Sequence, residues 1–364
     1  MKILYVTTGL AGGGAEKVVA DLADRMADLG HQVKIAYLKG DIVVRPQNRE
    51  IELVYLGLEG IAQVQTAYKN YKKLILSFNP DVVHSHMVHA NIFARISRKF
   101  TPVPKLICTA HSNNEGGKLR MLAYRFTHSY SDLLTNVSSA AAENFIALGA
   151  APKDGIRAVY NGINLKKFKH LPLAKQKIRQ ELAISDQALL FLAVGRLNEA
   201  KDYPNLLTAF SQYVQQTHSH FESKLIIVGE GEQRAAIEQL IQELNLSSQV
   251  SLLGRRDDIP ELMSAADYFV LSSSFEGFGL VVAEAMACET FVIATDCGGV
   301  KEVMGGFGLI CKPEDSQALA QSLVDATKIT QQEHLLNNQR ALRYVQENFD
   351  LDRIIEKWLA IYEC

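Results

Sequence analysis

Short apolar runs rich in β-branched residues alternate, along almost the whole chain, with stretches whose apolar residues recur every three or four positions. This is the pattern of parallel strands joined by crossover helices. Buried strands are predicted at Ile3–Thr7, Val33–Tyr37, Val82–His84, Leu106–Thr109 and Leu133–Asn136, and again at Leu189–Val194, Leu225–Val228, Val250–Leu253, Tyr268–Leu271, Phe291–Ala294 and Gly308–Cys311. Ala15–Leu29, Tyr203–Thr217, Gln233–Leu244 and Ser316–Thr327 carry helical spacing between them. The alternation breaks around residues 165–188, where Lys166-Lys167-Phe168-Lys169-His170-Leu171-Pro172 precedes a short helix over Ala174–Leu182. The expected fold class is α/β, with two doubly wound Rossmann-like domains in tandem.

Composition sharpens this picture. A chain of 364 residues with 48% hydrophobic content can bury sizeable cores, which excludes a disordered or collagen-like polymer. The net charge of −2 conceals an asymmetry: residues 1–170 hold 22 Lys and Arg against 13 Asp and Glu, a balance of +9, and the remainder balances at −11. Five scattered cysteines form no C-x-x-C pair, as expected in a reducing cytoplasmic compartment. No stretch approaches the roughly 18 charge-free apolar residues of a membrane span, so a membrane-bound form is expected to lie on the bilayer.

Ligands of doubly wound sheets sit beyond the carboxyl ends of the strands, so the residues after each strand carry the chemistry. The first strand runs into Gly9-Leu10-Ala11-Gly12-Gly13-Gly14, a glycine-rich turn whose N–H groups can approach an anion. A dinucleotide fingerprint fits poorly, because G-x-G-x-x-G needs glycine at Lys17 and no acidic residue closes the second strand near Ala36–Lys39. In the second half Arg196 and Lys201 flank a strand-to-helix loop, with Asp202 as a predicted helix cap, and two fixed cations there suit a diphosphate. Gly277, Phe278, Gly279, Leu280 and Val281 open another helix after a strand, offering free N–H groups. Glu276 precedes that helix. Glu284 lies within it on an otherwise apolar run, where a carboxylate needs a polar partner.

Taken together, Glu276 and Glu284 with seven residues between them, the Arg196/Lys201 pair, the Gly12–Gly14 turn and the phrase Tyr160-Asn161-Gly162-Ile163 resemble the retaining glycosyltransferases of family four. The resemblance covers essentially the whole chain. It implies a GT-B fold, two Rossmann-like domains facing a central cleft, with the last helix (351–364) crossing back. The expected acceptor-binding domain is then 1–168 plus about 350–364, and the donor-binding domain 169–349. It further implies that Lys201 and Arg196 neutralise the nucleotide diphosphate, that Glu276 contacts donor-sugar hydroxyls and that Glu284 bonds the ribose. The 278–281 backbone and Gly13-Gly14 would hold the diphosphate, and Gly254, Arg255 and Arg256 would edge the base. His111 matches the family histidine that faces the donor sugar, and His84, His86 and Asn113 would line the acceptor side. The chain has Asn164 and Ser112 where the family often has aspartate and glycine.

The implied reaction moves a sugar from a nucleotide sugar, UDP being the commonest carrier, to a lipid-linked or surface-polysaccharide acceptor. It retains anomeric configuration and requires neither cofactor nor metal. His84, His86 and His89 lack a nearby carboxylate or thiolate partner for a metal site, and the sole D-x-D, Asp350-Leu351-Asp352, is better explained as a helix start. An epimerase or phosphorylase on the same scaffold and a non-catalytic sugar-nucleotide sensor are the competing readings. Nucleic acid is not an expected partner, given the acidic second half. The basic, apolar segments 68–73, 95–100 and 118–130 suit an anionic membrane surface.

Overall fold

The computed structural model describes residues 1–113, 115–217 and 222–364. The chain divides into two units, Met1–Gly162 with Leu351–Cys364, and Ile163–Asp350.

The first unit contains β1 (Lys2–Thr7), α1 (Gly14–Asp28), β2 (Gln32–Tyr37), β3 (Glu52–Tyr55), α2 (Val64–Phe78), β4 (Val82–His86), α3 (Val88–Arg98), β5 (Lys105–Ala110), α4 (Lys118–Thr127), β6 (Leu133–Asn136), α5 (Ser139–Ala147) and β7 (Arg157–Ala158). Among the described residues its seven strands are parallel in the order β3-β2-β1-β4-β5-β6-β7. The order reverses direction at β1/β4. Two strands escaped the apolar pattern. β3 is an edge strand whose Glu52 pairs with Lys34 of β2, and β7 has two exposed residues, so neither has a hydrophobic run to display. Side chains of β1, β4 and β5 bury a core with α2 and α3, among them Leu4, Val6, Tyr71, Val83, Phe93 and Leu106. Helix boundaries follow local chemistry: Asn79 closes α2 in the left-handed region ahead of Pro80, and the Ser138 hydroxyl accepts from the Ala141 N–H to cap α5.

The second unit contains α6 (Ala174–Glu181), β8 (Leu189–Val194), α7 (Tyr203–Thr217), β9 (Ser223–Val228), α8 (Arg234–Glu243), β10 (Val250–Gly254), α9 (Ile259–Ala265), β11 (Tyr268–Leu271), α10 (Leu280–Ala287), β12 (Phe291–Thr295), α11 (Val300–Met304), β13 (Leu309–Cys311), α12 (Ser316–Lys328) and α13 (Gln331–Asn348). Its parallel order is β10-β9-β8-β11-β12-β13, reversing at β8/β11. Phe191, Phe210, Tyr213 and Tyr268 form the aromatic centre of its core.

The last helix, α14 (Leu351–Glu363), packs on the first unit, where Arg25 forks onto Asp352 and buried Trp358 lies 4.5 Å from the His84 ring. Residues 163–168 go with the second unit: Ile163 donates to the Phe349 carbonyl at 2.7 Å and forms a bridge with Asp350. Counted on these units the charge asymmetry shrinks to +5 and −7, because three lysines move to the second and α14 adds acids to the first. Among the described residues no helix is long and apolar enough to cross a membrane.

Candidate active site

In each sheet the point where strand order reverses leaves a crevice beyond the strand ends. In the second unit this point lies between the loops after β8 and β11, and it joins two side chains 75 residues apart. Lys201 Nζ donates to Glu276 Oε1 at 2.5 Å, with both side chains less than a fifth exposed. The same oxygen accepts from the Ser273 hydroxyl at 2.8 Å. Two bonds to backbone carbonyls lock the loops together: the Ser272 hydroxyl donates to the Lys201 carbonyl and the Ser274 N–H to the Ala200 carbonyl. Asp202, itself in the left-handed region at φ 47°, accepts from the Asn205 N–H and caps α7 as the sequence suggests. A ligand bearing both a phosphate and hydroxyls can engage Lys201 and Glu276 at once.

Close backbone approach shapes the rest of this rim. A Cβ on Gly229 would lie 1.9 Å from the Gly195 carbonyl oxygen, and one on Gly231 2.2 Å from the Leu197 carbonyl oxygen. The Gly195 carbonyl also accepts from Tyr203 Oη at 3.0 Å. Arg196 follows on the exposed face, paired with Glu232 at 3.3 Å. Gly254 (φ 68°) accepts from the Gly229 N–H, and Arg255 beside it is exposed. Arg256, expected with Arg255 at the base, is instead clamped by Asp258 and Glu181, a structural task that leaves it no free donor fork. Gly277 is followed by buried Phe278, which packs edge-on against Phe349; Gly279 (φ 87°) begins α10 without a side-chain cap, ahead of Leu280 and Val281. Glu284 is buried on that helix.

In the first unit Gly13 caps α1 with no side chain, and Gly14 is the helix's first residue. A Cβ at Gly13 would meet the Glu16 carboxylate at 2.5 Å. Strand register lines up Thr7, His86, Thr109 and Thr135 across β1, β4, β5 and β6, a polar row at the carboxyl end of an otherwise apolar sheet. His84 and His86 share one face of β4 by strand alternation. His84 is fully buried, with Nδ1 on Tyr362 Oη and Nε2 on Thr109 Oγ1, both at 2.7 Å. It therefore anchors α14 and does not line an acceptor surface, contrary to expectation. His86 is also buried, its Nδ1 2.9 Å from His111 Nε2 while its Nε2 has no partner among the described residues. An unmet acceptor is cheaper than an unmet N–H, so the proton sits on His86 Nδ1, and His111 is left with its N–H on the outer Nδ1. Burial lowers the pKa of both His84 and His86 and brings that of His111 down to about 4, so the cluster is neutral at pH 7. Asn113 has a buried Oδ1 without a partner among the described residues.

Sequence reasoning missed three contributors here: Ser273, Met87 and Glu115. Met87, between β4 and α3, has φ 71°, a strained value for a non-glycine residue at a switch point. Glu115 accepts from the His111 N–H at 2.9 Å and from Tyr124 Oη at 2.5 Å. Burial raises its pKa to about 7. A carboxyl raised above its unfolded value stabilises the fold at low pH and loses that contribution as pH rises through the folded value. The buried histidines, whose lowered pKa values add stability as pH rises, act equally in both proteins, so the expected result is a wild-type urea midpoint that falls relative to that of Glu115→Gln between about pH 5 and pH 8; equal pH dependence in both would refute it. Asn164 has a local explanation, since its Oδ1 accepts from the Lys166 and Lys167 N–H groups in a turn.

The sequence profile of the glycosyl transferases group 1 matches residues 174–342, and that of glycosyltransferase family 4 matches residues 12–167. This chain is a glycosyltransferase of the group 1/family 4 type. It is 26% identical to the N-acetyl-alpha-D-glucosaminyl L-malate synthase of Bacillus anthracis, covering 96% of this chain and 93% of that one. It is also 26% identical to a Campylobacter jejuni N-acetylgalactosaminyltransferase named for a diphospho-undecaprenol-linked acceptor, covering 86% and 87%. Among solved structures, Anabaena HepE in complex with UDP-glucose superposes with a TM-score of 0.85 at 23% identity, over 99% of both chains, which shows the shared GT-B fold. The glycosyltransferase thus has one family profile on each Rossmann-like domain.

Proposed function

We propose that this glycosyltransferase moves a sugar from a UDP-sugar to a lipid-linked glycan acceptor, with retention of configuration and without a required metal ion. The observation that carries the reading is the Lys201–Glu276 pair at the β8/β11 switch point. Lys201, with Arg196 and the N–H groups opening α10, neutralises the departing diphosphate. Glu276 takes donor-sugar hydroxyls, and Glu284 takes the ribose. Gly254 and Arg255 edge the base. Gly13 and Gly14 are assigned to phosphate and His111, through its Nδ1–H, to the donor sugar, as the family resemblance implies. In the transfer the anomeric carbon–phosphate oxygen bond breaks, the acceptor oxygen bonds to the same face, and the acceptor proton passes to the leaving diphosphate. The UDP choice draws on HepE, solved with UDP-glucose.

The Bacillus anthracis relative is named for a small soluble acceptor, L-malate. The acid-free, basic helices α2, α3 and α4 favour the lipid-linked alternative named for the Campylobacter jejuni relative. They also support peripheral association, in the cytoplasm, with an anionic bilayer through segments 68–73, 95–100 and 118–130, seen as retention on anionic vesicles at low salt and release at high salt. A thermal-shift screen of nucleoside diphosphates and nucleotide sugars tests the donor. UDP at a hundred times its dissociation constant is expected to add about 2.7 kcal/mol of apparent stability. NMR of the product then reads the anomer with and without chelator. Inversion, or no stabilisation by any uridine nucleotide, overturns the proposal.

A further inference from the structure

Helices α2, α3 and α4 carry eight Lys and Arg and no Asp or Glu. The fold also gathers their apolar residues around one groove of about 700 Å³. Tyr68 and Phe100, edge-on at 6.3 Å, stand with Ile92, Ile96, Leu119 and Ala123 along it. Several of these are open to water: Ile96 is 46% exposed, Phe100 64% and Leu119 83%. So much apolar surface in one place marks a binding site.

The groove has polarity along its length. One end lies at Leu58, Val88 and His89, just after β3 and β4, on the ligand-binding rim of this sheet. From there it runs along α3 toward Phe100, at the opposite end of the helix. Lys69, Lys72, Lys99, Lys118 and Arg125 are exposed on the helices and turn that bound it. A concave apolar channel suits a single flexible chain, and bounding helices that carry cations and no carboxylates suit an anionic lipid.

We propose that this groove holds the hydrocarbon chain of the acceptor lipid, with the glycan head and its lipid phosphate at the β3/β4 end, where Lys39 and Arg120 stand beside His89. The assignment rests on the lipid-linked acceptor reading above. It makes the first unit a site for one lipid chain, in addition to a face that meets a bilayer.

Alkyl phosphates below their self-association concentration probe the groove in the full-length protein by isothermal titration calorimetry. Decyl phosphate is expected to bind saturably at one site, each added methylene tightening binding about two- to fourfold. Ala123→Trp, which fills the channel, and Ile96→Asp, which charges an exposed wall without disturbing the core, are each expected to weaken it at least tenfold. Both variants keep the UDP thermal shift, because Lys201 and Glu276 lie in the other unit. Loss of the UDP response in wild type would overturn the proposed donor and not the groove. With that response intact, four results overturn the groove assignment: affinity independent of chain length, equal binding by inorganic phosphate, binding to phosphatidylglycerol vesicles but not to monomeric decyl phosphate, or a concentration-dependent dimer that buries the groove and excludes the probe.

Discussion

Lys201→Ala is expected to lower turnover at saturating donor by at least about a hundredfold, the loss typical of removing one preorganised donor to a developing anion. Lys201 is held less than a fifth exposed by Glu276, and its carbonyl is fixed by Ser272, so the charge is in place before substrate arrives. A cation ordered in advance spends nothing on reorganisation as charge grows on the diphosphate. The fold should survive, because Glu276 keeps the Ser273 hydroxyl and the loop keeps its backbone bonds. Lys201→Arg preserves the charge in a larger planar group and should recover only part of the rate. Single-turnover kinetics with radiolabelled donor give the answer, and near wild-type chemistry in Lys201→Ala would remove Lys201 from the mechanism.

Gly229→Ala should destabilise the second unit by about 3 kcal/mol. Two costs combine there. At φ 148° an L-residue is strained, and the new Cβ meets backbone, the Gly195 carbonyl oxygen at 1.9 Å, with no flexible side chain to yield. Relief must move the Gly195–Arg196 turn, which Tyr203 holds through that same carbonyl, so activity should fall along with stability. Gly306→Ala separates the two costs: Gly306 has φ 87° but open space where its Cβ would sit. Its expected loss is the strain alone, about 1 kcal/mol. Urea denaturation of both variants compares them, and equal losses would show that the Gly195–Gly229 approach is not rigid.

The repeating strand–helix pattern made β1, β8 and α7 legible because a strand buried on both faces must be apolar throughout, and a crossover helix must be apolar on one side. β3 and β7 lie at or beside sheet edges and bury too little to leave a pattern. The site was legible where residue type carries the chemistry. A glycine turn, a Lys and an Arg after one strand and a glutamate after another point to a phosphate-bearing ligand whatever their neighbours. Function of the histidines was not, since one short motif held residues with different tasks. His84 anchors α14, a helix more than 250 residues away, while His86 touches His111 across a strand pair.

By itself, then, the sequence determined the α/β class, two domains, the family and the charged groups after β8 and β11, all properties of local pattern and residue chemistry. Only the tertiary structure decided that Lys201 meets Glu276, that Gly229 must lack a side chain, that Arg256 is spent on Asp258 and Glu181, and that three basic segments share one apolar groove. Those facts depend on which distant strands and helices become neighbours. Strand order and crossover packing set that, and no local pattern records it.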